Sequence, residues 1–530
     1  MTGGADLLRT AERSGLAIEG VPANKAAMQH SRLRSRDDAG YSRPPKLKPA
    51  NGARLTRSSQ GAIERMADWV LAVRSADFPD AARAQAKLVL LDTIGCGLAA
   101  LDDECARAVV AALADLGERP QCTVLGCAQK MSAPSAVLAN GTLVRVLDLN
   151  DYTPGADARS GARGGHPSDN IPVALAAAEL SGASGSELLT AILVGYEIYG
   201  RGKALMEAHS AWDGISISGL VAPAMAGRLI GLDRRRLAHA IALSAARAPT
   251  PVGVREGGIS AAKSIANALI AQNGMQAVLL ANRGVSGPLD LFEAERGLRT
   301  VFAHEPEAAG DILAAPLPER SYISRTAIKA YPCYAGGQAA IAAALALHRR
   351  VEGDIGRLRG NIRAVFADLP VVRRHLADPG RIAPRSREAA DHSLHFLIAV
   401  TLIDGAFGLA QFDGERWNDP TVRALMARLD MTTDTDLARR AGDTYPCALH
   451  ASGGDGRHYE IEILAPPGFS PQGPEAAIVL EKFARITAEH LTAAARERIV
   501  EAVMELDEAA SCADLMRALA PRAAAATGVS

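Results

Sequence analysis

Apolar positions along the chain follow two regimes that change near residue 325. Before it, spacings of three and four dominate. Ala62 to Leu71 places its apolar side chains on one helical face, and Ala86 to Ala100 is so apolar that it predicts a buried helix. Further helices are predicted over 133–148, 168–182, 186–206, 216–230, 233–246, 259–283 and 488–507. Pro134 and Pro172 fall in first turns, where a missing N–H is harmless. After 325 the period drops to two. Asn361 to Phe366 and Tyr459 to Leu464 alternate as strands, the second preceded by the turn sequence Gly453-Gly454-Asp455-Gly456. Ser393 to Leu409 reads as a helix between them, and helical character returns over about 475–520.

The pattern divides the chain into five parts: a basic, disordered extension over 1–58, a helical domain over 59–324, an α+β domain over 325–465, a helical return over 466–522 and a tail over 523–530. The fold class expected is mainly α, with a smaller α+β part. The run Ser42-Arg43-Pro44-Pro45-Lys46-Leu47-Lys48-Pro49 excludes a helix in the extension. Its arginines suit a transit peptide, but Glu12, Glu19, Asp37 and Asp38 argue for a tail without a targeting role.

Composition narrows the function. Alanine is abundant and aromatic residues make up 4%, which favours helix. The formal net charge is −1, so no broad field attracts nucleic acid or an anionic membrane. An anionic substrate must therefore meet locally placed cations. No apolar run reaches the roughly 18 residues of a membrane span, and no secretory signal opens the chain. Seven scattered cysteines fit a reducing cytoplasm. Dinucleotide-binding, Walker, nucleophile-elbow and His-Glu-x-x-His motifs are missing, and the histidines lack metal-ligand spacing. Neither metal nor cofactor is expected.

Four segments carry candidate chemistry. In the first, Asp151 and His166 bracket a Gly-rich loop, and His166-Pro167-Ser168-Asp169-Asn170 opens a helix with Ser168 as its N-cap. The helix amides make a carboxylate site there, and a His beside an Asp can serve as general acid or base. Equally, Asp151 can cap a helix and His166 can be a loop residue bonded to backbone. The second segment, Arg255 to Lys263, has two glycines, a Ser260 cap and a first-turn Lys263 that can join the amides in holding a carboxylate or simply be exposed. In the third, Lys329, Tyr331 and Tyr334 lie where the pattern changes, a preferred place for a site and equally for a packed hinge. The fourth offers Arg387, Asp391 and His392, either a carboxylate clamp or a salt-bridged helix start.

Taken in order, these segments resemble the MmgE/PrpD family. The motif is Asn150-Asp151 followed by Gly165-His166-Pro167-Ser168-Asp169-Asn170. Leu91-Asp92-Thr93-Ile94-Gly95, Gly195-Tyr196-Glu197, Lys263 with Asn273-Gly274, Lys329-Ala330-Tyr331-Pro332 and Asp391-His392-Ser393-Leu394 support it. The resemblance runs over about 60–520. It implies a helical domain built from both chain ends, a smaller α+β lid, a homodimer and a metal-free site between domain and lid. Family members include 2-methylcitrate dehydratases, cis-aconitate decarboxylases and an iminodisuccinate epimerase. By motif position, Asp151, His166, Lys263 and Lys329 are the implied catalytic residues. Ser168, Asp169, Asn170, Tyr331, Tyr334, Arg387 and His392 are the expected substrate contacts. The decarboxylases carry a His where Tyr334 stands and a Tyr near Val371 or Val372, so the resemblance leans to dehydration of a small hydroxy-polycarboxylate. Decarboxylation, epimerisation and a noncatalytic helical dimer are the alternatives.

Overall fold

The computed structural model describes residues 60–520, apart from 155–163, 207–210, 256–258, 299–305, 441, 443 and 471–472. The expected extension over 1–58, the tail over 523–530 and the Gly257-Gly258 pair lie outside the described residues.

Most of the described chain is helical. Ala62–Ala72 turns Ile63, Met66, Ala67 and Val70 inward, the spacing read from the sequence. Asp80–Ala99 starts six residues earlier than its apolar run, because Pro79 and Asp80 supply a helix start that apolarity does not mark. From Gln85 to Ala99 it is buried on every side, as an all-round apolar helix must be. Ala133–Arg145 is capped by Ser132 and carries Pro134 in its first turn. Ile171–Ser181 carries Pro172 likewise and stops at Gly182, whose φ of 67° ends it in the left-handed conformation. Gly185–Leu205, Ser218–Ile230, Arg234–Ala245 and Ala262–Asn282 follow. Small side chains let these helices approach closely. A Cβ on Gly141 would lie 2.7 Å from that of Ala268, so the Ala133–Arg145 and Ala262–Asn282 helices touch almost backbone to backbone.

Beyond residue 325 a four-stranded sheet appears, in the order β2-β1-β3-β4: β1 Leu358–Ala367, β2 Leu429–Asp434, β3 Cys447–Gly453 and β4 His458–Ile463. β1 and β2 are parallel, with Ile362 opposite Leu429. β3 pairs antiparallel with both β1 and β4. Helices Gln338–Arg350 and Leu394–Asp404 bury alongside it. Ser393 caps the latter by accepting from Phe396 N at 3.2 Å.

The buried apolar residues form two large cores. One draws on 62–328 and again on 479–519. The other draws on 333–461. The chain therefore leaves the first core, builds the second and returns through Ala476–Ile486, Ala493–Met504 and Ala513–Leu519. Within Ala476–Ile486, buried Lys482 pairs with Asp92 at 2.6 Å and donates to the Leu149 carbonyl at 2.7 Å. All seven cysteines are free, and no single described helix is long and apolar enough to cross a membrane.

Candidate active site

A cavity of about 190 Å³ is lined from both cores: Arg145, Asp148, His166, Arg255 and Lys263 on one side, Tyr334, Arg374, Arg381 and His392 on the other. Among the described residues, cations on its wall outnumber the carboxylates, Asp148 and Asp213. In a chain of net charge −1, this is the local concentration of positive charge that an anionic ligand needs.

At its floor, Asp148 sits just past the Ala133–Arg145 helix at φ 49°, a left-handed conformation that Asp tolerates better than most residues. It accepts from Arg145 at 2.8 Å and Lys263 at 2.9 Å, and from Lys329. Lys329 also donates to its carbonyl at 2.7 Å. Burial alone would raise its pKa, but Arg145, Lys263 and Lys329 hold the carboxyl well below the usual range. Lys263 reaches on to Asp391 at 3.4 Å, and Asp391 bonds His392 Nδ1. Burial, and then Lys263, bring the His392 imidazole down to about 4, so it is neutral at physiological pH.

His166 owes its place to backbone pairing. Thr153 and Gly165 exchange two hydrogen bonds of 2.8 and 2.9 Å across the intervening loop. Gly165 fits because a Cβ there would stand 2.0 Å from the Tyr199 hydroxyl. His166 Nδ1 lies 2.5 Å from the Asp151 carbonyl. A carbonyl only accepts, so Nδ1 carries the proton and Nε2 is left as an acceptor. Burial, with Arg145 and Lys329, keeps its pKa well below the normal value, so the ring is an uncharged base at neutral pH.

Several expectations need correction. Asp151 and His166 do meet, but through the Asp151 carbonyl. The Asp151 carboxylate points away from the cavity, accepting from Ser168 at 2.5 Å and Tyr196 at 2.7 Å. Burial pushes it up to about 7 despite those bonds. Ser168 is therefore no N-cap: its hydroxyl is taken by Asp151 and Asn150, and the short turn Pro167–Asn170 has no side-chain cap. Asp169 faces Asn150 and Arg145, and Asn170 bonds the Pro167 carbonyl, so the three polar residues after His166 brace the floor without lining the cavity. Ser260 caps nothing, since the Ala262–Asn282 helix begins from Ala261 without a side-chain cap. Lys329 is fully buried behind Asp148 and reaches the cavity only through it. Tyr331 packs on Phe407, and Arg387 turns to Asp103 at 2.9 Å with its guanidinium over Phe412; neither lines the cavity. Lys263, His166, Tyr334 and His392 do.

Sequence reasoning passed over Arg145 and Asp148, the centre of the buried charge. Their signal was available: a cation and an acid three apart inside the apolar run Leu143-Val144-Arg145-Val146-Leu147-Asp148-Leu149. Arg255, Arg374 and Arg381 had no such signal, because none is a charge inside a long apolar run and only the fold brings them to one cavity.

Asp148, Asp391 and His392 offer donor atoms within 4.8 Å of one another, a spacing suited to a cation. The charges around them do not suit one. The Lys263 ammonium already bridges the two carboxylates, and Arg145 and Lys329 crowd Asp148 from other sides. A divalent ion would meet three positive side chains at contact distance.

Comparison with known proteins agrees with this architecture. The MmgE/PrpD N-terminal domain matches residues 64–310 and the MmgE/PrpD C-terminal domain matches 331–507. The chain belongs to the MmgE/PrpD family. Among its relatives are a cis-aconitate decarboxylase-like protein, oryM, of Aspergillus oryzae, 24% identical over 85% of this chain and 95% of the relative. A cis-aconitate decarboxylase of Aspergillus terreus is 25% identical over 67% of this chain and 75% of its own length. A mitochondrial 2-methylcitrate dehydratase of Yarrowia lipolytica is 24% identical over 81% of this chain and 83% of its own. Of the residues that the resemblance singled out, His166 and Lys263 line this cavity and Lys329 lies directly behind Asp148.

Proposed function

We propose that this MmgE/PrpD protein is a metal-independent hydro-lyase that dehydrates a hydroxy-polycarboxylate of the 2-methylcitrate kind. The observation that carries the reading is a neutral His166, its Nδ1 held by the Asp151 carbonyl so that Nε2 can accept, in the same cation-walled cavity as Lys263. A C–H next to a carboxylate is a very weak acid. Its removal needs a base in place and positive charge where the carboxylate gains electron density. His166 Nε2 takes the proton, and the Lys263 ammonium faces the charge that builds on the carboxylate. The C–H electron pair becomes the double bond, and the β-hydroxyl departs with the proton that His166 removed, which gives water and returns the imidazole to its neutral form. Lys329 from behind and Arg145 from the cavity wall fix Asp148, which in turn holds Lys263. In this reading the unit carrying the sheet is a lid, the enzyme is a cytoplasmic homodimer, and no cofactor takes part.

A second reading, decarboxylation of a cis-aconitate-like acid, is favoured by the names of two of the relatives. Against it, Val371 and Val372 give the cavity wall no hydroxyl where the decarboxylases carry a Tyr, and Tyr334 stands in place of their His.

The test is an ultraviolet assay with EDTA-treated protein, offered 2-methylcitrate, citrate and cis-aconitate in turn while carbon dioxide is followed. The expected outcome is conjugated-alkene absorbance from a hydroxy acid with no carbon dioxide. Carbon dioxide from cis-aconitate replaces the first reading with the second, and silence on all three overturns both. His166→Ala should lower the rate by about 10²–10⁴-fold with the fold intact. Unchanged turnover in that variant would remove His166 from the chemistry.

A further inference from the structure

On the wall contributed by the sheet-bearing core, Tyr334 and Arg381 carry three polar atoms without a hydrogen bond among the described residues. Tyr334 Oη is buried without a hydrogen-bond partner, and so is Arg381 Nη1. Arg381 is 8% exposed, a depth at which an idle guanidinium donor is costly. The rest of its fork is weakly held. Nη2 is 3.4 Å from the Arg255 carbonyl, and Nε stands 3.2 Å from Asp378 without hydrogen-bond geometry. Both residues line the cavity, and they are close enough to shift each other's proton affinity. Burial pushes the Tyr334 phenol well above its ordinary value, so it keeps its proton and remains a donor. Two buried donors on residues that line one cavity, one of them part of a guanidinium, lack an acceptor among the described residues, and a carboxylate suits both.

Their position says which acceptor. The Tyr334 ring stacks on His392, with centroids 5.2 Å apart and planes at 18°. His392 in turn bonds Asp391 beside Lys263. Arg381 and Tyr334 therefore share a cavity wall with the Asp148–Lys263–His392 cluster, a second cationic position for an acid that carries more than one carboxylate.

We propose that Arg381 Nη1 and Tyr334 Oη form a second carboxylate subsite, which holds a carboxylate remote from the carbon that loses its proton. This inference rests on the polycarboxylate reading above and adds the device that selects for it. A monocarboxylate bound at Lys263 leaves both donors unpaired, and a site that buries unpaired donors rejects the ligand that fails to meet them. Neither Asp378 nor the Arg255 carbonyl competes, because neither reaches Nη1.

The experiment is calorimetric titration with propane-1,2,3-tricarboxylate, which has no hydroxyl to eliminate, and with butyrate as the monocarboxylate control. Wild type is compared with Arg381→Gln, Arg381→Lys and Tyr334→Phe, with turnover of the hydroxy acids followed separately. Arg381→Gln should weaken tricarboxylate binding about 10- to 100-fold, and Tyr334→Phe about 3- to 10-fold, with butyrate unchanged. Arg381→Lys should recover only part of the loss, because an ammonium lacks the fork. In turnover the loss should appear in KM more than in kcat. Tricarboxylate binding within twofold of wild type in Arg381→Gln overturns the subsite, as does an equal loss for butyrate or failure of the wild type to bind the tricarboxylate. Should Arg381→Gln fail to fold, Tyr334→Phe alone decides, since it removes one hydroxyl and keeps the stacked ring. Arg381-dependent binding without turnover of any hydroxy acid would leave the subsite standing and sink the lyase. Turnover that ignores Arg381 would do the reverse.

Discussion

Asp151 and His166 titrate in opposite directions, and the consequences can be separated. Asp151 has its folded value raised to about 7 from an ordinary 3.8. Between those values the folded state binds the proton more tightly than the unfolded one, so this group's stabilisation is full in acid and is lost as pH rises towards 7. The difference amounts to about 4 kcal/mol. Asp151→Asn should flatten that part of the stability–pH curve, measured by urea denaturation from pH 4 to 8. An unaltered slope would mean that the carboxyl ionises freely in the fold. His166 has its folded value lowered, so its neutral form persists well below pH 6.5. The acid limb of kcat/KM should therefore lie well below pH 6.5, and a limb at 6.5 would point to a solvated imidazole. Stability from His166 runs the other way, falling as pH drops below 6.5 because the unfolded imidazole takes the proton more readily. Asp148 is a charge problem. Asn tolerates φ 49° about as well as Asp, so Asp148→Asn should cost about 3–5 kcal/mol by removing the carboxylate that Arg145, Lys263 and Lys329 share, which leaves Asp169 and Asp391 as the nearby acids. Chemical denaturation measures this, and a loss under about 1 kcal/mol would show that water or rearrangement compensates the three cations.

Helices announced themselves better than strands. The spacing in Ala62–Ala72 and the apolarity of Asp80–Ala99 are written in consecutive residues, so those elements were legible. β1 and β4 alternate and were also found. β3 was not: Cys447-Ala448-Leu449-His450-Ala451-Ser452-Gly453 is poor in β-branched and aromatic side chains, and it is a strand because β1 and β4 flank it. β2 was missed for a related reason. Its outward positions are acids and threonines, and its parallel partner lies some seventy residues away. The site followed the same rule. His166 and Lys263 were found from local motifs, whereas Arg381 and the Asp148 cluster are brought together by contacts across more than a hundred residues. The segment before His166 can be tested directly. Gly165→Ala places a methyl against the Tyr199 hydroxyl and must move either the ring or the strand-like pairing with Thr153. We expect kcat to fall about 10- to 100-fold through displacement of His166, with a stability loss of about 1–3 kcal/mol. Wild-type kcat in this variant would show that His166 is positioned by its bond to the Asp151 carbonyl alone.

The two large cores meet at the cavity, and each supplies part of its wall. Closest to the floor, the returning segment adds Lys482, which joins Asp92 to the Leu149 carbonyl one residue past Asp148. Lys482→Met should lower both stability, by about 3–5 kcal/mol, and kcat. Adding Asp92→Asn should restore part of the stability by removing the stranded acid, but not kcat, because the Leu149 carbonyl still lacks its donor. Parallel recovery of both would reduce Lys482 to a counter-ion. The same bond bears on synthesis. Asp148, His166 and Lys263 all leave the ribosome more than two hundred residues before Lys482 does. Until that lysine emerges, the nascent chain has the reactive side chains but lacks the strut beneath them. A chain cut short before Lys482, with about nine tenths of its residues made, would thus have every candidate catalytic residue and an unfinished floor. The floor is finished late, at a point set by where a single ammonium group falls in the order of translation.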